Sequence, residues 1–282
     1  MGKILDGKAF ANQKAEKLKE KVKNLKSEGI QPYFCVINIG DNPASKLYVK
    51  TKKRRSESVG IIQKIYQLPE NEKEEDVLAL IDELNADKKV YGVMVQLPVP
   101  EHINANHLME RIDPKKDVDG LTPANMGRLW QGNHFVEPAT ADGIIALLDY
   151  YHIDLAGKNV VIIGRSNIVG KPVAALALER DATISILHFC TKNLTEYTKL
   201  ADVIISAAGQ ANLITADMIK ENAVIIDVGI NHVNGHLVGD VAFDEVKDKA
   251  SWITPVPGGI GPITVEFLME QVIKLTRKAN GR

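Results

Sequence analysis

The order of apolar and polar residues in the first half of the chain predicts strands that alternate with helices. Residues 8–28 carry spaced apolar side chains among many lysines and are followed by Gly29, which predicts an amphipathic helix with a glycine at its end. A second helix is predicted from an N-cap at Ser45 to Val59. The same patterns predict strands at 33–39, 61–67 and 91–100 and a helix at 72–86. Strands that alternate with helices are typical of a parallel α/β sheet.

The second half of the chain starts a new α/β series after an irregular segment, 113–138, rich in Pro, Gly and Asp. A helical pattern at 141–151 is followed by a strand, a tight turn and a helix within 158–180. Further apolar strands are predicted at 183–189, 202–209 and 223–230. We therefore predict an α/β protein of two α/β domains, one at 1–140 and a Rossmann-like dinucleotide-binding domain at 141–261.

Composition and charge exclude several classes of protein. Of the 282 residues, 45% are hydrophobic and 25% charged, which is ordinary for a globular protein. The formal net charge of -1 gives no overall attraction to nucleic acid or to a membrane surface. The chain has no apolar run long enough for a membrane span and no signal-peptide core at its start, so a cytoplasmic location is predicted.

The cysteines and histidines predict neither a disulfide framework nor a metal site. Cys35 and Cys190 are the two cysteines, and both lie in apolar, strand-like segments that predict buried, inert thiols. The seven histidines are scattered, with no i, i+4 pair backed by an acid, so no catalytic zinc is expected.

The turn at 164–172 is the clearest candidate for a ligand site in the second half. It follows the strand VVII and precedes a helix, and its spacing, G-x-S-x-x-x-G, departs from the usual G-x-G-x-x-G. Glycines let the backbone approach a pyrophosphate, which the helix N-terminus attracts. The alternative is a glycine-bearing turn that binds nothing. The second strand ends without the acid typical of NAD sites, and Arg165 is suited to a 2′-phosphate, so NADP is favoured while NAD stays possible.

A candidate acid/base site in the first half centres on Tyr48 and Lys52, which lie four residues apart on one face of a predicted helix. Read by themselves, they and the nearby lysines and arginines describe a solvated basic face or a nucleic-acid patch. Alternatively the tyrosine stacks on a flat heterocycle while Lys52 reaches its reactive carbon. The clustered positive charge is expected to lower the pKa of Lys52 and to suit it to proton transfer.

Two further polar positions and one loop lie where α/β proteins place their sites. Gln96 ends a predicted strand, at the edge where such sites form, although an amide there often only satisfies loop backbone. In KKDVDG, Asp117 and Asp119 are candidate turn-formers, of which only one need be functional. The loop 254–262, dense in glycine and proline, either lies against a ligand or is a rigid connector.

Taken together, these motifs resemble the bifunctional methylenetetrahydrofolate dehydrogenase/cyclohydrolase family over nearly the whole chain. The matching strings, in order, are DNPASKLYVKTKKR, GVMVQLPVPEHI, DPKKDVDGLTPANMGRL, GRSNIVGKP, VIIDVGIN, VGDVAF and TPVPGGIGPITVEFL. The resemblance implies NADP-dependent oxidation of 5,10-methylenetetrahydrofolate and hydrolysis of the methenyl product to 10-formyltetrahydrofolate. It also implies a cytoplasmic homodimer that binds tetrahydrofolate derivatives, with an active-site cleft between the domains and a C-terminal helix, 262–282, that completes the first domain.

The resemblance assigns roles to the matching positions. Lys52 would be the acid/base residue of cyclohydrolysis, with Gln96 hydrogen-bonded to it, Tyr48 stacked on the folate ring and Asp119 anchoring the pterin. Residues implied to line the folate site are Pro257, Gly261 and Thr264. Residues implied to hold the dinucleotide are Thr140, Gly164, Arg165, Ser166, Ile168, Gly170 and Ile230.

Two departures from the family pattern bear on the cofactor. Ala139 and Ala141 replace a cysteine and a proline that relatives often carry beside Thr140. Phe189 and Cys190 stand where many relatives have polar or basic residues, which leaves Arg165 as the predicted partner of a 2′-phosphate. The alternatives are an NAD-dependent enzyme with weak or no cyclohydrolase activity, a dehydrogenase of another small molecule, a nucleotide-responsive binding protein, and, as the weakest, a nucleic-acid role for KTKKRR. Loss of any of Tyr48, Lys52, Gln96 or Asp119 would favour the binding protein, and all are present.

Overall fold

A computed structural model describes residues 2–282, with Ala44 described only as part of a helix. The strands are β1 (Lys3–Ile4), β2 (Tyr33–Ile39), β3 (Ile62–Leu68), β4 (Gly92–Val95), β5 (Asn159–Ile163), β6 (Thr183–Leu187), β7 (Val203–Ser206), β8 (Val224–Asp227), β9 (Asn231–Val233), β10 (His236–Val238) and β11 (Trp252–Ile253). The helices are α1 (Gly7–Ser27), α2 (Pro43–Val59), α3 (Glu74–Ala86), α4 (Ala105–Arg111), α5 (Pro123–Trp130), α6 (Ala139–Tyr150), α7 (Gly170–Leu178), α8 (Leu194–Thr198), α9 (Phe243–Val246) and α10 (Ile260–Ala279).

These elements form two compact α/β units. Unit 1 contains the chain up to Asn12 together with Thr140–Thr264, and unit 2 contains Gln13–Ala139 together with Val265–Arg282. Both units carry a parallel sheet with helices, which confirms the predicted fold class.

Unit 2 is built on a three-stranded parallel sheet in the order β3-β2-β4. The central strand β2 is buried at every residue after Tyr33, as expected of a parallel strand covered on both faces. Helix α3 packs Val77 and Ile81 onto the sheet, and α4 adds Leu108. Gln96 follows β4 directly, at the carboxyl edge of this sheet.

Unit 1 is built on a six-stranded sheet in the order β1-β11-β8-β7-β5-β6, in which every pairing is parallel. The chain runs from β5 to its neighbour β6 and then crosses to β7 on the other side of β5. This reversal leaves a crevice outside the carboxyl ends of β5 and β7, where open α/β sheets bind their ligands.

Two local predictions from the sequence were wrong. Helix α2 begins at Pro43, because the Asn42 side chain accepts a hydrogen bond from the Ser45 backbone N–H at 3.1 Å and takes the capping role predicted for Ser45. Strand β6 ends at Leu187, so Cys190 lies in the following turn and is exposed, whereas Cys35 is buried in β2 as predicted. Among residues 2–282, no helix has the length and apolar character needed to cross a membrane.

Candidate active site

Helix α2 holds Tyr48 and Lys52 one turn apart, with different degrees of burial. Lys52 is 9% exposed, whereas Tyr48 is 40% exposed. The neighbouring Lys50, Lys53 and Arg54 are exposed to solvent. The helix therefore turns one lysine of a basic segment into the protein and leaves the others in water.

The amino group of Lys52 is held by two side chains from the end of β4. Its Nζ donates to Gln96 Oε1 at 3.0 Å and lies 3.8 Å from Met94 Sδ. The other half of the Gln96 amide donates from Nε2 to the Leu97 carbonyl at 2.7 Å, which fixes the amide orientation. A neutral amide oxygen accepts from either an amine or an ammonium, so Gln96 holds Lys52 in both protonation states.

Burial controls the charge of this site. Desolvation lowers the pKa of Lys52, and the negative charge of Asp119 opposes that effect. Desolvation also raises the pKa of Asp119 to about 6, against the attraction of Lys52 and with help from Asp117. The pKa of Lys52 is thus lowered as expected, but the expected cause was wrong. Lys50, Lys53 and Arg54 are in water, where their charges are screened, and Arg55 is paired with Glu266.

The structure separates the two aspartates of KKDVDG. Asp117 is buried, and its carboxylate accepts hydrogen bonds from the backbone N–H of Leu121 and Thr122 and from Asn125 Nδ2 at 3.2, 2.8 and 2.9 Å. It is the turn-former. Among residues 2–282 the Asp119 carboxylate accepts no hydrogen bond, so its acceptor sites remain for a ligand.

The turn between β5 and α7 is tight enough that side chains are excluded at both of its glycines. A Cβ at Gly164 would lie 2.4 Å from the Ala207 carbonyl oxygen, and one at Gly170 would lie 2.0 Å from the Gly164 carbonyl oxygen. Ser166 Oγ accepts from the Val169 N–H at 3.1 Å and shapes the turn. Within residues 2–282, the backbone N–H groups of 165–168 donate to no other part of the chain. Such free N–H groups ahead of a helix fit a pyrophosphate.

A buried carboxylate that the sequence analysis missed shapes the neighbouring loop of unit 1. Asp240 is fully buried. It accepts hydrogen bonds from Ser206 Oγ (3.1 Å), Ala208 N (2.7 Å), Gly209 N (3.2 Å), Gln210 N (3.0 Å) and Asn231 Nδ2 (3.0 Å). Ser206 ends β7, residues 208–210 follow it, and Asn231 begins β9 shortly after β8, so Asp240 fixes the chain at the carboxyl ends of β7 and β8. Its presence in the motif VGDVAF was the available signal.

The other predicted site residues lie in unit 1. Thr140 Oγ1 and Thr264 Oγ1 are hydrogen-bonded at 3.2 Å, so a predicted cofactor residue and a predicted folate residue are in contact. Pro257 and Gly261 are exposed around the start of α10. Ile168 and Ile230 are 43% and 45% exposed, after β5 and β8 respectively. Each therefore has surface available to a ligand.

Comparison with known families matches both halves of the chain to domains of one enzyme family. Residues 5–119 match the family model of the tetrahydrofolate dehydrogenase/cyclohydrolase catalytic domain, and residues 138–280 match that of the tetrahydrofolate dehydrogenase/cyclohydrolase NAD(P)-binding domain. The resemblance predicted from the sequence motifs is confirmed.

Individual relatives match over the full length. Bifunctional protein FolD of Lactobacillus acidophilus is 69% identical over 282 residues, which is 100% of both chains. The crystal structure of the bifunctional enzyme FolD from Campylobacter jejuni is 48% identical, with a TM-score of 0.97 and 99% of each chain covered. A Trypanosoma brucei FolD, solved with NADP cofactor and inhibitor, is 34% identical, with a TM-score of 0.95, and the match covers 100% of this chain and 99% of that one.

Proposed function

Because the chain belongs to the tetrahydrofolate dehydrogenase/cyclohydrolase family, it is a bifunctional, NADP-using folate enzyme, and we propose that Lys52 carries its cyclohydrolase step. The observation that supports this role is the buried Lys52 amino group held by Gln96 at 3.0 Å. A lysine in water is almost entirely protonated at neutral pH, whereas burial lowers the pKa of Lys52 and so favours its free amine more than water does.

In the first reaction, NADP supplies the acceptor for the hydride that leaves the methylene carbon of 5,10-methylenetetrahydrofolate. The product is the methenyl cation. In the second reaction, water adds to the methenyl carbon while the Lys52 amine takes a proton from that water. The ammonium then returns the proton to N5 as the bond between N5 and the carbon breaks. The hydroxyl on that carbon loses its own proton to solvent as the C=O bond of 10-formyltetrahydrofolate forms. One residue thus serves as base and then as acid.

The proposed substrate contacts divide between stacking and hydrogen bonding. We assign Tyr48, whose ring is partly exposed beside Lys52, to the face of the folate ring system. Asp119 has free acceptor sites and is assigned to the N–H groups of the pterin. A neutral Lys52 also avoids the repulsion that an ammonium would exert on the cationic substrate. Pro257, Gly261 and Thr264 are assigned to the remaining folate surface.

We assign the dinucleotide to the turn after β5, to Ile230 after β8 and to Thr140 at the start of α6. The free N–H groups of 165–168 and the N-terminus of α7 would hold the pyrophosphate. Arg165 is assigned to the 2′-phosphate. The remaining cofactor residues in this proposal are Thr140, Gly164, Ser166, Ile168, Gly170 and Ile230.

Several wider properties follow from family membership and are proposed with it. The folate-binding domain is assigned to 1–140 with 262–282, and the dinucleotide-binding domain to 141–261. The structure differs at the start of the chain, where β1 pairs with β11 and the residues before Gln13 belong to unit 1. We propose a homodimer that works in the cytoplasm and supplies one-carbon units for purine, histidine and methionine biosynthesis. Sedimentation equilibrium of the purified protein tests the dimer.

The deciding experiment separates the two activities. The purified protein is given methylenetetrahydrofolate with NADP or with NAD, and reduced nucleotide is followed; preformed methenyltetrahydrofolate is given separately, and its hydrolysis is followed. Lys52→Gln should lower hydrolysis by about 100-fold or more, the range of lost acid/base catalysis, and should retain nucleotide reduction.

Lys50→Gln is the matched control, because it removes the same charge from an exposed position on the same helix. It should hydrolyse at the wild-type rate. Wild-type hydrolysis by Lys52→Gln would refute the role of Lys52. Failure of the wild-type protein to reduce either nucleotide would refute the dehydrogenase function.

A further inference from the structure

Phe189 has an unusual degree of exposure for an aromatic side chain. It is 88% exposed, more than any other large hydrophobic side chain in the described part of the chain. A single exposed apolar residue needs no explanation by itself, since protein surfaces carry many. Phe189, however, lies beside the proposed dinucleotide site, so its exposed ring is available to a bound nucleotide.

The turn after β6 holds Phe189 at its tip. The His188 carbonyl accepts from the Thr191 N–H at 2.7 Å, and the His188 N–H donates to Thr191 Oγ1 at 2.9 Å. The Cys190 N–H donates to His188 Nδ1 at 3.2 Å. With its neighbours tied together in this way, the backbone of Phe189 has a defined place and its ring faces outward.

The same turn lies beside the one that follows β5. Ile163 pairs with Leu187 in the parallel register, and the Gly164 N–H donates to the Leu187 carbonyl at 2.8 Å. The guanidinium carbon of Arg165 lies 5.3 Å from the centroid of the Phe189 ring, which is within the range of a cation–π contact. Adjacent strands thus bring the two side chains together at the sheet edge.

In Rossmann-like sheets the end of the second strand reaches the adenosine ribose, and its side chain helps to choose between NAD and NADP. Here that position offers an aromatic ring in contact with Arg165. We infer that Phe189 is a specificity-determining residue: its ring stacks on the adenine of NADP and orients the Arg165 guanidinium toward the 2′-phosphate. This inference rests on the proposed use of NADP. It replaces the expectation that Phe189 only removes a phosphate partner.

Stacking and charge recognition have different consequences for the two nucleotides. Adenine is common to NAD and NADP, so loss of the ring should weaken both. Base–aromatic stacking is strong enough that Phe189→Ala should raise the dissociation constant of NAD about tenfold. The dissociation constant of NADP should rise further, because Arg165 also loses the ring that orients it. The 2′-phosphate is present in NADP alone, so Arg165→Ala should weaken the binding of NADP much more than that of NAD.

The test measures binding by titration calorimetry on the full-length protein, with four probes: NADP, NAD, 2′,5′-ADP and nicotinamide mononucleotide. Phe189→Ala should weaken the first three and leave nicotinamide mononucleotide unchanged. Phe189→Leu keeps an apolar side chain without the aromatic face and should bind as weakly as Phe189→Ala. Phe189→Trp should restore affinity, and its added fluorescence should be quenched by NADP and by 2′,5′-ADP.

Tyr197→Ala is the matched control, since Tyr197 is another exposed aromatic residue of unit 1 and should leave all four affinities unchanged. Phe189→Ala or Phe189→Leu with wild-type affinity for NADP and NAD would overturn the inference while leaving the cofactor assignment intact. A wild-type protein that binds neither nucleotide would refute the cofactor assignment itself. Because Phe189 is exposed, its variants should unfold at the wild-type temperature, which thermal denaturation checks.

Discussion

Lys52 Nζ and Gln96 Oε1 lie 3.0 Å apart at the carboxyl end of β4, and the remaining half of the Gln96 amide is bound to the Leu97 carbonyl. The acceptor of this hydrogen bond carries no charge. Burial can therefore lower the pKa of Lys52 without a directly bonded carboxylate to reverse the effect. Burial, opposed by Asp119, thus sets how readily this lysine gives up its proton, and the Gln96 oxygen adds no charge that would oppose burial further.

A charged acceptor at the same place should impair hydrolysis. In Gln96→Glu a carboxylate would bind the Lys52 ammonium and raise its pKa. The free amine that starts the reaction would then form only at higher pH. We expect the acidic limb of the pH–rate profile for methenyltetrahydrofolate hydrolysis to move to higher pH by about one pKa unit or more. The rate of hydrolysis at pH 7.5 should then be at least about tenfold lower than that of the wild type. An unshifted profile would contradict this account of Gln96.

Removal of the Asp119 charge should move the same limb in the opposite direction. The Asp119 carboxylate raises the pKa of Lys52, against the effect of burial. In Asp119→Asn that attraction is lost, so the pKa of Lys52 falls further and the limb should move to lower pH. Because Asp119 is also assigned to the pterin, KM should rise. Stopped-flow hydrolysis over a pH series measures both, and a limb that moved upward would exclude the proposed coupling.

The backbone around Gly170 in the proposed dinucleotide turn is so close to Gly164 that Gly170→Ala should impair NADP binding selectively. The new Cβ would collide with the Gly164 carbonyl oxygen, so the turn must shift. The dissociation constant of NADP should then rise about tenfold or more, as expected when backbone N–H groups lose their contact with the phosphate. Hydrolysis of preformed methenyltetrahydrofolate should continue. Gly127→Ala is the control, because a Cβ there would meet open space. Equal loss of both activities would indicate general unfolding instead.

The five donors around Asp240 predict a stability defect together with a functional one. In Asp240→Asn the amide oxygen can accept from only some of these donors, and the new NH2 group faces N–H groups. We expect the free energy of unfolding to fall by about 2–4 kcal/mol, the range for a disrupted buried network. The dehydrogenase KM for NADP should rise more than the KM for methenyltetrahydrofolate. Asp244→Asn, at an exposed carboxylate nearby, should change neither value.

Patterns of short range were predictable from the sequence alone. The alternation of strands and helices determined the α/β class, since each pattern reports the local face on which a side chain is buried. The spacing of Tyr48 and Lys52 determined that they share one side of α2, because four residues make about one helical turn. The ordered motifs determined the family, and through it the chemistry.

The contacts that tune this chemistry were decided by the tertiary structure. Lys52 and Gln96 are 44 residues apart in the sequence, and they meet only because the folded chain brings α2 and the end of β4 together. Asp117 forms the turn and Asp119 is left for a ligand because, in the part of the chain that the structure describes, only the Asp117 carboxylate of the two lies against backbone N–H groups. Burial separates Lys52 from its basic neighbours, although all carry the same charge in the sequence. A pKa depends on solvent exclusion and on partners brought from distant segments, and local sequence determines neither.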